Sequence, residues 1–194
     1  MIDRSNIVNS VKEALRTLIK GENDAVALYK QFFEQAKKEN LHNIALLFEA
    51  LVMAEKIHIK NHFSALDEEF IPEKSKNQSI GTTLENLNTA LTGEVRENKE
   101  LYPRLIKSIK KDINTQYGKV AKLSMMWAKN VEKEHAKLLK KAFKSLKKGN
   151  DIKLHSISIC QVCGNIVVNK NSQKVCDVCG HDDIFFKSIY EDEN

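Results

Sequence analysis

The stretch "NVEKEHAKLLKKAF", residues 130–143, has the period of an amphipathic helix and then breaks its own pattern. Ala128, Leu139 and Ala142 fall on one side and lysines on the other. Glu132 and His135 fall on the apolar side, between Ala128 and Leu139. A carboxylate and an imidazole therefore stand where aliphatic carbon should be buried, and burying either without a partner is costly.

The same anomaly recurs along the chain. Helical period holds over about 6–38, 41–66, 83–111 and 115–147. "TTLE" at 82–85 places Thr and Glu three apart, a capping-box start for the third helix. In the first helix Leu15, Leu18, Ala25, Tyr29 and Phe32 form a stripe whose gap is filled by Glu22. In the second, Phe48, Leu51 and Leu66 continue through Glu55, His58 and His62; His62, one turn beyond His58, reads as core, with a supporting place just outside the ligands as the alternative. In the third, Leu84, Leu87, Leu91 and Leu101 continue through Glu94, with Glu97 one turn on. Each helix thus points at least one carboxylate at a common interior, near its middle.

Taken singly, a seam glutamate can keep its head in water and a lone histidine can be a hydrogen-bonded core residue. Together they cannot: several unpaired carboxylates in one bundle would be desolvated and would repel one another. A polyvalent cation resolves both costs. "EKIH" at 55–58 and "EKEH" at 132–135 are both Glu-x-x-His, and at i, i+3 the two side chains face the same way. "KGEN" and "TGEV" supply Glu22 and Glu94 from the other two helices. One Glu from each of two helices plus Glu-x-x-His from each of the others is the known ligand pattern of carboxylate-bridged di-iron bundles. Mixed carboxylate and imidazole suit iron or manganese, with zinc open on ligand type alone. Glu22, Glu55, Glu94 and Glu132 formally balance two Fe(II) ions, and Glu97 is a fifth carboxylate able to offset charge gained on oxidation. Its plainer role is as an acceptor orienting a ligand.

The connections set the topology. "KENLHN" and "KKDINT" are short polar turns suited to antiparallel neighbours. "DEEFIPEKSKNQSIG", at 67–81, is 15 residues long. Extended, it spans roughly 50 Å, against about 42 Å for a helix of about 28 residues. It can run the length of the bundle and start the third helix parallel to the second, the ferritin-like arrangement of two hairpins and one crossover.

All four cysteines lie in the last quarter, in "CQVCG" at 160–164 and "CDVCG" at 176–180. Such clustering denotes a metal rather than a disulfide framework. Two Cys-x-x-Cys-Gly knuckles wrap one ion tetrahedrally, the glycine permitting close backbone approach to sulfur. Structural zinc and redox-active iron both fit. "NIVVNKNSQKV", at 165–175, reads as a strand, a turn and a second strand. A segment this small is expected to need its metal to fold. The expected domains are a four-helix bundle at 1–147, a linker at 148–155 and a four-cysteine domain at 156–194.

Bulk properties exclude other classes. The net charge of +5 comes largely from lysines on helix backs, without an arginine cluster or interleaved aromatics, so nucleic-acid binding is not expected. No apolar run approaches the roughly 18 residues of a membrane span. The amphipathic, acid-bearing "MIDRSNIVNSVKEALRTL" resembles neither a secretory signal nor a transit peptide. A soluble, cytoplasmic protein is expected.

With both sites in view, the chain resembles the rubrerythrin family over nearly its whole length. The resemblance rests on "GENDAVALY", "EKIH", "GEVRENKELYP", "EKEH" and the two knuckles. It implies a mainly α fold: a ferritin-like di-iron bundle followed by a small β-rich, rubredoxin-like iron domain. It implies a peroxidase that reduces hydrogen peroxide to water in oxidative-stress defence. By position, Glu55 and Glu132 would bridge two irons, Glu22 would hold one, and Glu94 with His135 the other. His58 and Glu97 would exchange on the first iron as its oxidation state changes. Tyr29 and Tyr102 match tyrosines that hydrogen-bond around the cluster, and Cys160, Cys163, Cys176 and Cys179 would hold a relay iron. Electrons would come from an external rubredoxin or flavoprotein reductase. The relay in this family often serves a partner subunit, which implies a homodimer. Two departures bear on iron against zinc at the cysteines: "CDVCG" lacks the usual Pro after its first Cys, and the first knuckle lacks the usual aromatic after its Gly. The rival readings are a ferritin-like iron-storage protein and an interaction protein with a structural zinc ribbon.

Overall fold

A computed structural model describes residues 4–69, 71–72, 79–169 and 174–189. Four long helical arms carry the chain: α1 (Arg4–Lys38), α2 (His42–Leu66), α3 (Thr83–Arg96), which continues through a π-helical turn (Glu97–Leu101) into α4 (Tyr102–Ser108), and α5 (Gln116–Leu146). A three-stranded sheet completes the chain: β1 (Ile157–Cys160), β2 (Ile166–Val168) and β3 (Phe186–Ile189), in the order β2-β1-β3. No helix among the described residues is long and apolar enough to cross a membrane.

Local chemistry sets the helix ends. Asn40 and Asp67 take left-handed conformations after α1 and α2, where a short polar side chain tolerates positive φ. The capping box at α3 forms: Thr82 N–H donates to Glu85 Oε2 at 2.8 Å, and Glu85 N–H donates to Thr82 Oγ1 at 3.4 Å. Thr115 caps α5 by accepting from Gly118 N–H at 2.9 Å.

Two contacts fix the crossover. Tyr117, at the start of α5, donates to the Leu66 carbonyl at the end of α2. Glu39, at the end of α1, accepts from Thr83 N–H at the start of α3. α3 therefore begins where α2 begins, and the two run parallel. The middle of the expected crossover, residues 70 and 73–78, lies outside the described residues.

The third arm is not the uninterrupted α-helix its period predicts. Pro103 has no N–H, and in a regular helix its ring would clash with the carbonyl four residues back. A wide turn relieves this: Tyr102 N–H reaches the Glu97 carbonyl, five residues away, and α4 resumes with Pro103 in its first turn. The extra residue rotates α4 by roughly 100° relative to α3. Tyr102 is thereby turned inward and fully buried.

Among the described residues a small apolar cluster joins Val131 to Cys160, Cys163 and Cys176, and the bundle has two large apolar blocks. One contains Tyr29, Phe32, Phe48, Leu51, Leu87 and Leu139. The other contains Leu15, Leu18, Leu66, Ile109 and Met125. Between them lies a layer of buried acids and imidazoles.

The C-terminal segment differs from its expected strand-turn-strand. β2 pairs antiparallel with β1 instead, Ile157 opposite Val168, because the first knuckle supplies the reversal through Gly164 N–H to the Cys160 carbonyl at 2.8 Å. β3 pairs on the other side of β1, and Val175 makes only an isolated bridge to Asp182. Ile157, Ile159 and Ile166 are buried in continuity with the bundle's larger apolar block, so the sheet borrows its core from the helices.

The linker is anchored as well. Leu41, which stands at the N-cap position just before α2, has no capping side chain. Asp151 supplies the cap from 108 residues away, accepting from Asn43 N–H at 2.9 Å and from Ile44 N–H at 3.2 Å. Asp151→Ala should lower stability by about 1 kcal/mol, the usual cost of a lost N-cap, and equilibrium urea unfolding measures it. A midpoint unchanged from the native protein would show that the cap contributes nothing.

Candidate metal centre

The polar layer assembles at one level of the bundle. Glu22 comes from α1, Glu55 and His58 from α2, Glu94 from α3, and Glu132 and His135 from α5; all are buried. Their donor atoms form two groups of four: Glu22, Glu55, His58 and Glu132, and Glu55, Glu94, Glu132 and His135. Within each group the atoms lie within 4.8 Å of one another. Glu55 and Glu132 belong to both. Glu97 belongs to neither; it is half-buried on the π-helical turn at the edge of the site.

Both imidazoles present Nδ1 to the carboxylates. His58 Nδ1 lies 2.8 Å from Glu55 Oε2 and 3.0 Å from Glu132 Oε1. His135 Nδ1 lies 3.0 Å from Glu132 Oε2 and 3.5 Å from both Glu55 and Glu94. These are mostly charge contacts, not aligned hydrogen bonds. Among the described residues Glu22 Oε2, both oxygens of Glu55, His58 Nδ1, Glu94 Oε2 and Glu132 Oε1 are buried without a hydrogen-bond partner. So many orphaned lone pairs at one level are the donor set of cations.

Tyrosines orient the outer carboxylates. Tyr29 donates to Glu94 Oε1 at 2.6 Å, and Tyr102 to Glu22 Oε1 at 2.5 Å. Behind Tyr102, His62 Nε2 lies 3.0 Å from the phenol oxygen and His62 Nδ1 lies 2.5 Å from Ser124 Oγ. His62 is thus a hydrogen-bonded support for Tyr102, not simple packing. Its place on the α2 stripe, one turn beyond His58, is the only trace of this in the sequence.

The charges are strongly interdependent. Burial drives Glu22 and Glu132 well above the ordinary carboxylate range, and the charge of Glu55 pushes both further. Burial, then Glu94 and Glu55, raise Glu97 to about 8. Burial also works against the charge of Glu55, but His58 and His135 overcome it and hold that carboxyl well below its usual range. Burial pulls His58 down, yet Glu55 raises it to about 9. His135 is likewise held well above its usual value against burial, by Glu94 and Glu132. Burial and the neighbouring charge of His58 lower His62 to about 3, leaving it neutral.

The four cysteines form the second site. Cys160 and Cys179 sulfurs are 3.6 Å apart, as are those of Cys163 and Cys176, and no disulfide forms. A tetrahedral ion with metal–sulfur bonds of about 2.3 Å requires sulfurs roughly 3.8 Å apart, so the spacing fits one ion. Each knuckle closes in the same way, with Gly164 and Gly180 at φ +86° and +75°.

The two sites touch through the first knuckle. His58 Nε2 donates to the Cys163 carbonyl at 3.1 Å, and His135 Nε2 donates to the Gly164 carbonyl at 3.3 Å. Asn61 donates to the Val162 carbonyl at 2.8 Å. These bonds keep Nε2 protonated and leave both Nδ1 lone pairs for the centre. Gly164 is needed for the approach: a Cβ there would lie 2.9 Å from His58 Nε2 and 3.1 Å from the Ala54 carbonyl. The expected glycine role of close approach to sulfur is therefore incomplete, since the tighter approach is to the bundle.

Comparison with known proteins agrees with this architecture. The rubrerythrin family model matches residues 13–121. Rubrerythrin-2 of Clostridium acetobutylicum is 35% identical over 179 residues, covering 88% of this chain and 95% of that one. Nigerythrin of Nitratidesulfovibrio vulgaris is 30% identical over 181 residues, covering 91% and 85%. The solved structure of nigerythrin in a mixed-valence state matches at TM-score 0.80 and 27% identity, over 92% of this chain and 86% of that one. Its fully reduced, all-ferrous state matches at 0.81 and 26% identity over the same shares. The family model takes in most of α1, all of α2 to α4 and the start of α5, and the relatives cover about nine-tenths of the chain: the chain belongs to the rubrerythrin family.

Proposed function

We propose that the protein is a non-haem di-iron peroxidase, reducing hydrogen peroxide with two electrons and two protons to two molecules of water. One observation carries the reading. Two four-ligand groups share Glu55 and Glu132, and the histidine completing each is hydrogen-bonded to a four-cysteine knuckle.

In this reading Glu55 and Glu132, common to both groups, would be shared by two irons, Glu22 and His58 would hold one of them, and Glu94 and His135 the other. Glu97, at the edge and outside both groups, would exchange with His58 on a change of oxidation state. A ferrous pair held there would supply the two electrons that peroxide takes up, and Cys160, Cys163, Cys176 and Cys179 would hold an iron able to return them one at a time. Tyr29 and Tyr102 hold Glu94 and Glu22 in place through their hydroxyls. His58 offers a bonded route of a few atoms from the Cys163 carbonyl to the carboxylate layer. The chain's own knuckle makes this contact, so a partner subunit is not required for it. A homodimer, an external donor such as rubredoxin or a flavoprotein reductase, and a cytoplasmic setting that keeps the four thiols reduced complete the reading.

The test is anaerobic purification, metal analysis, and peroxide addition with a reductase and rubredoxin. The expected result is about three irons per chain, a red ferric tetrathiolate, and turnover that depends on peroxide. Colourless protein with zinc at the cysteines and no iron in the bundle would favour an interaction module. Accumulated ferric mineral would favour storage.

A further inference from the structure

α1 packs chiefly on α2, and α3 on α5, which leaves the α1–α3 seam weakly closed. A cleft of about 370 Å³ opens there and reaches inward to Tyr29 and Glu97, with Leu28 and Arg96 further along its walls. Gly21 lines one side and Gly93 the other. Each immediately precedes an acid of the site, Glu22 in α1 and Glu94 in α3.

Glycine is the poorest helix former after proline, and both residues lie inside helices. Neither usual reason for tolerating it applies. The positive-φ glycines are Gly149, Gly164 and Gly180, so no left-handed conformation demands Gly21 or Gly93. A Cβ built at either position meets nothing within 4 Å, so no close packing demands them. Gly118 in α5 shows the contrast: a Cβ there would lie 1.9 Å from the Asp112 carbonyl oxygen. What the two glycines do provide is volume, since a side chain at either would project into the cleft.

We propose that Gly21 and Gly93 are paired gate residues that keep open the passage by which small peroxides reach the carboxylate layer. The proposal rests on the peroxidase reading for its substrate and on the cleft for its route. Water occupies about 30 Å³ in the liquid, and hydrogen peroxide is only somewhat larger. The cleft therefore has ample room for hydrogen peroxide. A bulkier alkyl hydroperoxide fills more of it, and size becomes the basis of selectivity.

The test uses Gly21→Leu, Gly93→Leu and the two alanine variants in the full chain. Each leucine variant should lower the second-order rate constant for hydrogen peroxide by about tenfold, and that for tert-butyl hydroperoxide by more. Azide binding to the diferric site, followed by its absorption band, should slow in parallel. Iron per chain and the red colour should stay constant. The alanine variants, adding a methyl group to open space, should raise the thermal midpoint of the metal-free protein. Leucine variants with full iron and unchanged rates would overturn the proposal. So would a changed mass in solution, which would assign the glycines to an interface between copies, or alanine variants that melt early. If the native protein fails to reduce peroxide, the peroxidase reading falls, and the azide rates still decide the gate.

Discussion

Gly164→Ala should uncouple the four-cysteine site from the bundle, and Gly180→Ala should not. Both glycines sit at positive φ in equivalent knuckles, so both substitutions carry the same backbone penalty of about 1–2 kcal/mol. They differ in what the new methyl meets. At Gly180 nothing lies within 4 Å; at Gly164 the methyl would press on His58 Nε2 at 2.9 Å and the Ala54 carbonyl at 3.1 Å. Neither neighbour is the free end of a flexible side chain. His58 is held in the carboxylate layer, and Ala54 presents helix backbone. The knuckle must retreat by several tenths of an ångström.

The bonds that would stretch have little to spare. His58 to the Cys163 carbonyl is already 3.1 Å, and His135 to the Gly164 carbonyl 3.3 Å. Beyond about 3.5 Å such contacts cease to be hydrogen bonds. Each buried N–H left without an acceptor costs about 1–3 kcal/mol, so the docked population falls roughly tenfold or more per bond lost. Hydrogen exchange of the 160–164 knuckle should accelerate in Gly164→Ala and not in Gly180→Ala. Reoxidation of the cysteine site after a peroxide pulse should slow in the same variant alone. Equal behaviour of the two would show that strain, not docking, governs the knuckle.

Much of this arrangement is legible in the chain because it depends on spacing. The 3.6-residue stripe puts Glu22, Glu55, Glu94 and Glu132 inward, and the i, i+3 rule puts His58 and His135 beside their glutamates. The length of the 67–81 link permits α2 and α3 to be parallel, and the contacts of Thr83 with Glu39 and of Tyr117 with Leu66 show that they are. What escapes the sequence depends on long-range geometry. Pro103 is visible, but the wide turn that absorbs it, and so leaves Glu97 at the edge of the site, is set by packing around Tyr102. His62 shares its stripe with ordinary core residues, and only the positions of Tyr102 and Ser124 give it partners. Asp151 as the cap of α2, and the knuckle on His58, join residues more than a hundred positions apart. Pairing of β2 with β1 rather than with the segment after it likewise depends on the knuckle's reversal.

Removing the metals should reverse the pH dependence of stability. In the metal-free protein Glu22 and Glu132 are held well above the unfolded value of 4.5. Above that pH the unfolded chain has released these protons and the folded one keeps them, so stability falls as pH rises. His58, raised from 6.5 to about 9, contributes stability below 6.5 that is lost as pH climbs through 9. His135 acts in the same direction. Glu55 opposes them, because its lowered pKa gives stability above 4.5 that is lost in acid. The metal-free protein should therefore be most stable near pH 4.5, weaken above it as Glu22 and Glu132 come into play, and weaken more steeply between about pH 6.5 and 9.

Divalent ions invert this slope, because they take the places of the same protons and bind better as protons leave. Two ions present at about a thousand times their dissociation constants add roughly 8 kcal/mol, or on the order of 20 °C in a chain of this size. The gap between loaded and metal-free melting temperatures should widen steadily from pH 5.5 to 8.5 in calorimetric scans. Parallel curves would show that the ions and the protons do not compete for these groups. Glu132→Gln separates the two contributions within one residue. Glutamine imitates the protonated acid without a titratable proton, so the metal-free variant should hold its stability at pH 8 better than the native chain. The same change removes a carboxylate common to both ligand groups, so most of the metal-dependent gain should disappear. A substitution that strengthens the empty bundle while abolishing its response to metal is the outcome expected of a residue retained for ligation at a cost to the fold.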